Sequence, residues 1–279
     1  MIPFTLNING RLVGYDRPAV MGIINATPDS FFAGSRTPLS AQVAERTRQM
    51  VDEGADMIDL GAYSSRPGAG DVSEAEECRR LREALESVRS VSSDIPVSVD
   101  TFRSGVAAKA VTEWGADIVN DISGGTLDDA MFETVAALGV PYILMHMRGT
   151  PADMQTRCDY ADVTADVIGE LSVRLHKLSL LGVNDVIIDP GFGFSKTLEQ
   201  NYRLLRDLDA FNMLGRPVLA GMSRKSMISR LLGIDSGEAL NGTTAVNMLA
   251  LDRGAAILRV HDVRAAREAV EVYSAMAGC

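Results

Sequence analysis

Four stretches of the chain repeat one design: GADMIDLG at 54–61, GADIVNDISGG at 115–125, GVNDVIIDPG at 182–191 and GAAILRVHDV at 254–263. Each holds a glycine that stops a helix, a short turn, an apolar strand and a polar residue where the strand ends. Similar runs rich in Val, Ile, Leu and Met extend the series to eight candidate strands, at 20–25, 56–61, 96–100, 117–121, 142–146, 185–189, 217–221 and 256–261. They do not alternate cleanly, as expected of parallel strands covered on both faces. Helical patterns lie between them. Ser73-x-x-Glu76 and Thr197-x-x-Gln200 read as capping boxes, and Ser40 and Ser104 as N-caps. Eight strand–helix units predict an α/β fold, a (β/α)8 TIM barrel, as one domain over residues 1–279. A doubly wound open sheet is the alternative, and the lack of a dinucleotide-binding glycine fingerprint counts against it. The segment 4–13 carries an Asn9-Gly10 turn signal and is expected to form a short N-terminal β-hairpin at the bottom of the barrel.

Charge narrows the partners. The chain has 27 Lys+Arg against 37 Asp+Glu, a net charge of −10, which disfavours nucleic acid and anionic membranes. The longest stretch without a charged residue, 134–147, is too short to span a bilayer. No secretory signal is visible at the N-terminus, and Cys78, Cys158 and Cys279 are odd in number and far apart. That usage fits reduced thiols, so a cytoplasmic location is expected.

In a barrel of this kind the chemistry gathers at the C-terminal ends of the strands. Those positions hold Asn25, Asp100, Asn120, Asp121, His146, Asp189, Ser223 to Ser226, Arg259 and His261, with Ser64, Ser65 and Arg66 just beyond Gly61. A single polar strand end is usually satisfied by a neighbouring loop; eight that converge point to a ligand. Asp100, Asn120 and Asp189 suit a flat heterocycle with adjacent N–H donors, because one carboxylate accepts two parallel bonds. Lys225, Arg259, Arg66 and His261 suit a phosphate, and Ser226 opens a helix that favours a second anion. His146 reads either as a ligand or as a packed histidine, and His176 as solvent-facing. The three histidines lack metal-ligand spacing, which argues against a zinc site held by the protein. The loop with Phe31 and Phe32 reads equally as a lid or as a segment pinned into an apolar cluster.

Motifs distributed in order along the chain resemble the dihydropteroate synthase family: NATPDSF at 25–31, SSRPG at 64–68, SVDT at 98–101, VNDISG at 119–124, MHM at 145–147, DPGFGF at 189–194, SRKS at 223–226 and RVHD at 259–262. The resemblance implies a TIM barrel, a homodimer and a folate-pathway transferase. The implied reaction joins 6-hydroxymethyl-7,8-dihydropterin diphosphate to p-aminobenzoate, with Mg2+ as cofactor and sulfonamides as competitive inhibitors. Carried onto this sequence, the pterin set is Asp100, Asn120, Asp189, Lys225, Met145 and Gly221. The p-aminobenzoate set is Ser226, Phe194, Pro67 and Ser65. Diphosphate falls to Asn25, Ser65, Arg66, Arg259 and His261, with Asn25 also the metal ligand. Lys225, Arg259, His261, Phe31 and Arg66 are the residues implied in catalysis.

Two positions depart from the family pattern. Tyr63 stands where an acid is usual in G-x-E-S-T-R-P, so hydrogen bonding there must differ. Ala33 stands where an Asp is common. A pterin-dependent methyltransferase on a similar barrel, and a non-catalytic pterin-binding relative, are the competing readings. The methyltransferase has no need of the SRKS and RVH anion sites.

Overall fold

At the N-terminus, Asn9 and Gly10 both adopt positive φ, 50° and 79°, the conformation of a two-residue hairpin turn. They join β1 (Phe4–Ile8) to β2 (Arg11–Tyr15) in an antiparallel pair. The coordinates are a computed structural model, and the structure describes residues 3–27, 39–63 and 72–278.

The eight expected strands form one parallel sheet, each with bounds slightly different from those read in sequence. In chain order they are β3 (Ala19–Asn25), β4 (Met57–Gly61), β5 (Val97–Asp100), β6 (Ile118–Asp121), β7 (Tyr142–Met145), β8 (Val186–Asp189), β9 (Leu219–Ala220) and β10 (Ile257–Val260). They follow the order β8-β7-β6-β5-β4-β3-β10-β9. A parallel bridge between Ile188 and Val218 and a 2.9 Å bond from the Ile188 amide to the Pro217 carbonyl join β8 to β9 and close the barrel.

Nine helices are described outside the sheet: α1 (Leu39–Asp52), α2 (Glu74–Val91), α3 (Ser104–Thr112), α4 (Met131–Leu138), α5 (Val163–Leu180), α6 (Leu198–Arg206), α7 (Ser226–Leu232), α8 (Leu240–Asp252) and α9 (Val263–Ala277). Thr197 forms the full capping box with Gln200. Ser73 forms half of one, accepting from the Glu76 amide at 3.3 Å, while the Glu76 carboxylate bonds Arg79 and Arg80 instead. Ser40 and Ser104 lie inside their helices rather than capping them. At α3 the Asp128 carboxylate does the capping, accepting from the Ser104 amide at 2.7 Å.

Strand residues alternate between two environments. Outward residues such as Val20, Leu60, Val99, Val119, Leu144 and Ile188 pack beneath the helices in the main core. Inward residues near the strand starts, including Met21, Met57, Ile118, Ile143, Ile187 and Ile257, pack with Leu6 and Ile8 of the hairpin. The hairpin therefore seals the bottom of the barrel. Asn9 anchors it there, its side-chain amide donating to Asp117 at 2.5 Å. Above this apolar layer the inward residues turn polar.

Candidate active site

Two residues further along the strands, the period of two brings Asp59, Asn120, Asp189 and Arg259 to the same interior. Asp59 is the residue that sequence reasoning missed. It lies within the apolar run MIDLG, and it is fully buried. A charge there must be paired. Arg259 Nε donates to Asp59 Oδ2 at 2.7 Å, and Arg259 Nη2 lies 3.0 Å from Asp100 Oδ2. The Asn120 side-chain amide donates to Asp59 at 3.2 Å. Burial works against the Arg259 cation, but Asp59 and Asp100 outweigh it and hold its pKa above the usual arginine value. Burial, opposed by Arg259 and reinforced by Asp59, lifts Asp100 to about 7. The expected diphosphate ligand Arg259 is thus keyed into an acidic floor.

Asp189 faces the same space. It accepts from the Gly191 amide at 2.7 Å, and burial raises its pKa against the pull of Lys225. A Cβ on Gly221 would approach Asp189 Oδ2 at 3.8 Å, so the glycine leaves room beside this carboxylate. Met145 forms an apolar flank with Ile122, Met147 and Met154, and Phe194 packs against it. Lys225 donates to the Phe192 carbonyl at 2.6 Å and lies 4.7 Å from the Phe194 ring centre. Burial draws Lys225 down to about 8, with Asp189 opposing.

On the anion side, the Ser223 hydroxyl accepts from the His261 amide at 3.1 Å and lies 3.0 Å from His261 Nδ1. A hydroxyl that accepts from that amide can donate its own hydrogen to Nδ1, leaving the Nε2 hydrogen as the ring's donor. Burial, aided by the Arg259 charge, lowers His261 to about 4, so the ring is neutral near pH 7. Ser226 is the exposed first residue of α7. Arg224, read only as part of SRKS, is bound to Asp262 and so belongs to the scaffold.

His146 is a packed histidine, fully buried. Its Nε2 meets Glu170 at 3.1 Å and its Nδ1 meets Lys196 Nζ at 3.1 Å. Burial, with Lys196 adding, lowers its pKa to about 4. His176 is exposed on α5. Tyr63 replaces the usual acid with aromatic packing: its ring meets Phe102 edge-on at 5.2 Å, with the Arg103 guanidinium 5.6 Å from its centre. Phe31, Ala33, Ser64, Ser65, Arg66 and Pro67 lie outside the described residues.

Among the described residues no group of three or more His, Cys, Asp or Glu converges to hold a metal. Asn25, at the end of β3, offers a single neutral oxygen, 3.4 Å from where a Cβ on Gly61 would stand. One such oxygen suits a Mg2+ carried mainly by phosphate oxygens and water.

Residues 21–261 match the family described as pterin binding enzymes. The chain is 42% identical over 263 residues to dihydropteroate synthase of Synechocystis sp. (strain ATCC 27184 / PCC 6803 / Kazusa), an alignment covering 93% of this chain and 90% of that protein. It is also 42% identical over 273 residues to the mitochondrial folate synthesis bifunctional protein of Arabidopsis thaliana, covering 92% of this chain but spanning 49% of that longer protein. A solved structure of Xanthomonas albilineans dihydropteroate synthase with 4-aminobenzoic acid is similar at a TM-score of 0.91 and 38% identity, covering 99% of this chain and 98% of that one.

Proposed function

This chain belongs to the dihydropteroate synthases of the pterin binding enzyme family, and from that premise we propose how its residues perform the reaction. It is a transferase of folate synthesis. The substrates are 6-hydroxymethyl-7,8-dihydropterin diphosphate and p-aminobenzoate, and the products 7,8-dihydropteroate and diphosphate. The observation that carries this reading is the polar interior layer of Asp59, Asp100, Asn120 and Asp189 around Arg259, above a sealed apolar floor.

Asp189 accepts from the amino and ring N–H edge of the pterin, while Asn120 and Asp100 hold its opposite side. Lys225 lies between the pterin and the aryl ring, and Phe194 covers the aryl ring. Asn25 would hold a Mg2+, which would supply positive charge to the diphosphate oxygens. The carbon–oxygen bond of the pterin methylene breaks and a carbon–nitrogen bond to the arylamine forms; the displaced amine proton passes to solvent. An arylamine is unprotonated near neutral pH, so attack needs no strong base on the protein. The work is positioning and charge stabilisation: the His261 Nε2 hydrogen serves the leaving group, and Arg259, held by Asp59 and Asp100, adds its positive charge nearby. Ser65, Arg66, Pro67 and Phe31 complete the aryl and diphosphate sites, and Ser226 receives the aryl carboxylate. Sulfonamides compete for that aryl site.

No described helix is long and apolar enough to cross a membrane. The negative charge and unpaired thiols of Cys78 and Cys158 support a cytoplasmic enzyme. A homodimer is supported by apolar side chains exposed on adjacent helices: Leu231 and Leu232 on α7, Leu240 and Leu249 on α8, and Val272 and Met276 on α9. Sedimentation of the full chain tests this, and a monomer at micromolar concentration overturns it.

The reaction is tested by diphosphate release with and without p-aminobenzoate and Mg2+. Release dependent on both, with 7,8-dihydropteroate formed in equal amount, is expected. Release that ignores p-aminobenzoate overturns the assignment.

A further inference from the structure

We propose that Lys196, held against His146, is a positioning residue for the arylamine half of the site; this rests on the reading of Phe194 and Lys225 above. Lys196 is 3% exposed and follows the DPGFGF loop, yet its ammonium turns back beneath it. Nζ donates to the Gly191 carbonyl at 3.0 Å and to the Phe194 carbonyl at 3.0 Å, and lies 3.1 Å from His146 Nδ1. Three acceptors match the three hydrogens of an ammonium. The remaining ring nitrogen of His146 meets the Glu170 carboxylate at 3.1 Å. A carboxylate accepts, so Nε2 carries the hydrogen and Nδ1 is left bare to receive Lys196. Glu170 is in turn held by Arg148, Nε to Oε1 at 2.8 Å.

The loop lies tightly on this support. Gly191 has φ 72°, and a Cβ there would fall 2.0 Å from the His146 carbonyl oxygen, so only glycine lets the backbone come so close. The two carbonyls that Lys196 grips are the ends of the turn closed by the 3.1 Å bond from the Phe194 amide to the Gly191 carbonyl. That turn sets the place of the Phe194 ring against Lys225. The Asp189 carboxylate also touches this turn, accepting from the Gly191 amide at 2.7 Å, but its backbone has a second hold in the sheet, paired with Met145 and accepting through its carbonyl from the His146 amide at 3.0 Å. Loosening the grip should therefore displace the aryl wall before the pterin acceptor.

The test is steady-state kinetics on the full chain, varying p-aminobenzoate and the pterin diphosphate separately, with thermal unfolding as a control. Lys196→Met should raise KM for p-aminobenzoate at least about tenfold, while KM for the pterin and kcat stay within about threefold. Lys196→Arg, which keeps donors to both carbonyls, should recover most of that loss. His146→Gln leaves both carbonyl bonds intact and should raise the same KM about threefold; it carries the test should Lys196→Met not fold. A KM for p-aminobenzoate that does not move, or both KM values rising together, overturns the proposal. Wild-type chain that fails to use p-aminobenzoate at all would instead refute the function on which it rests.

Discussion

The guanidinium of Arg224 lies across the carboxylate of Asp262, with Nε 2.8 Å from Oδ2 and Nη2 2.9 Å from Oδ1. This pair ties the loop after β9 to the loop after β10, so the two anion motifs are one rigid piece. Arg224 has φ 55°, a left-handed conformation that costs a residue with a side chain roughly 1–2 kcal/mol. Its amide donates to the Thr243 hydroxyl at 3.0 Å, and its Nη1 to the Ser236 carbonyl at 3.1 Å, which together hold that conformation.

Replacing Asp262 by Asn removes the charge from a paired fork and should cost about 1–3 kcal/mol of stability. Activity should fall too, because Lys225 and Ser226 directly follow Arg224, the partner of Asp262, in the chain. Urea unfolding checks the first point, and an unchanged midpoint would show that the pair contributes nothing.

Asp59→Asn should be more damaging than its distance from the mouth suggests. Arg259 would keep Asp100 but lose its nearest carboxylate in a buried setting, a change worth about 3–5 kcal/mol. The expected result is a folded but weakened protein with kcat down at least about tenfold. Wild-type kcat in a folded variant would remove Asp59 from the site.

Asp189→Asn should spare the fold and impair pterin binding. It replaces a double acceptor by an amide that sets a donor against donors, a loss of roughly 2–4 kcal/mol. Calorimetry with a pterin measures it, and near-wild-type affinity would contradict the assigned role.

Burial holds His146 and His261 at about 4 in the folded chain, against about 6.5 when unfolded. As pH falls from about 6.5 towards 4, the unfolded chain takes up protons that the folded chain refuses, so these rings subtract stability across that window. Asp100, held at about 7, acts with the opposite sign there. A variant therefore isolates the histidine: His261→Asn should lose less stability than wild type between pH 6.5 and 4.5. Parallel stability curves would mean that His261 titrates as an exposed imidazole does.

The architecture was legible because buried parallel strands must be apolar throughout and the helices between them end on glycine. Strand bounds at 56–61 and 256–261 differ only at their ends from the observed β4 and β10. The hairpin was legible from Asn9-Gly10 alone, since few other pairs accept two positive φ values. Polar strand ends revealed Asp100, Asn120, Asp189 and Arg259, because each interrupts an apolar run at its last residues. Asp59 is a lone acid at the centre of MIDLG, two residues before the strand end at Gly61, where an interruption does not mark the end of the apolar run. Lys196 left no such mark. A lysine after a loop reads as solvated, and the acceptor that helps bury it, His146, lies 50 positions away. Ser40 and Ser104 misled because the same residue types serve at a cap and in the first helical turn, and here Asp128 supplies the capping oxygen at α3.

Leu6 and Ile8 close the end of the barrel opposite the polar layer, packed against Met21, Met57 and Ile143. Among the described residues, the barrel interior is therefore closed from below, and a ligand reaches the polar layer from the side where the strands end. On the proposed assignment, with the pterin against Asp189 and Asn120 and the aryl ring nearer Ser226, the pterin diphosphate should enter before the arylamine. Both products should leave by the face through which both substrates came. A chamber sealed at its base has no back exit to relieve a crowded mouth.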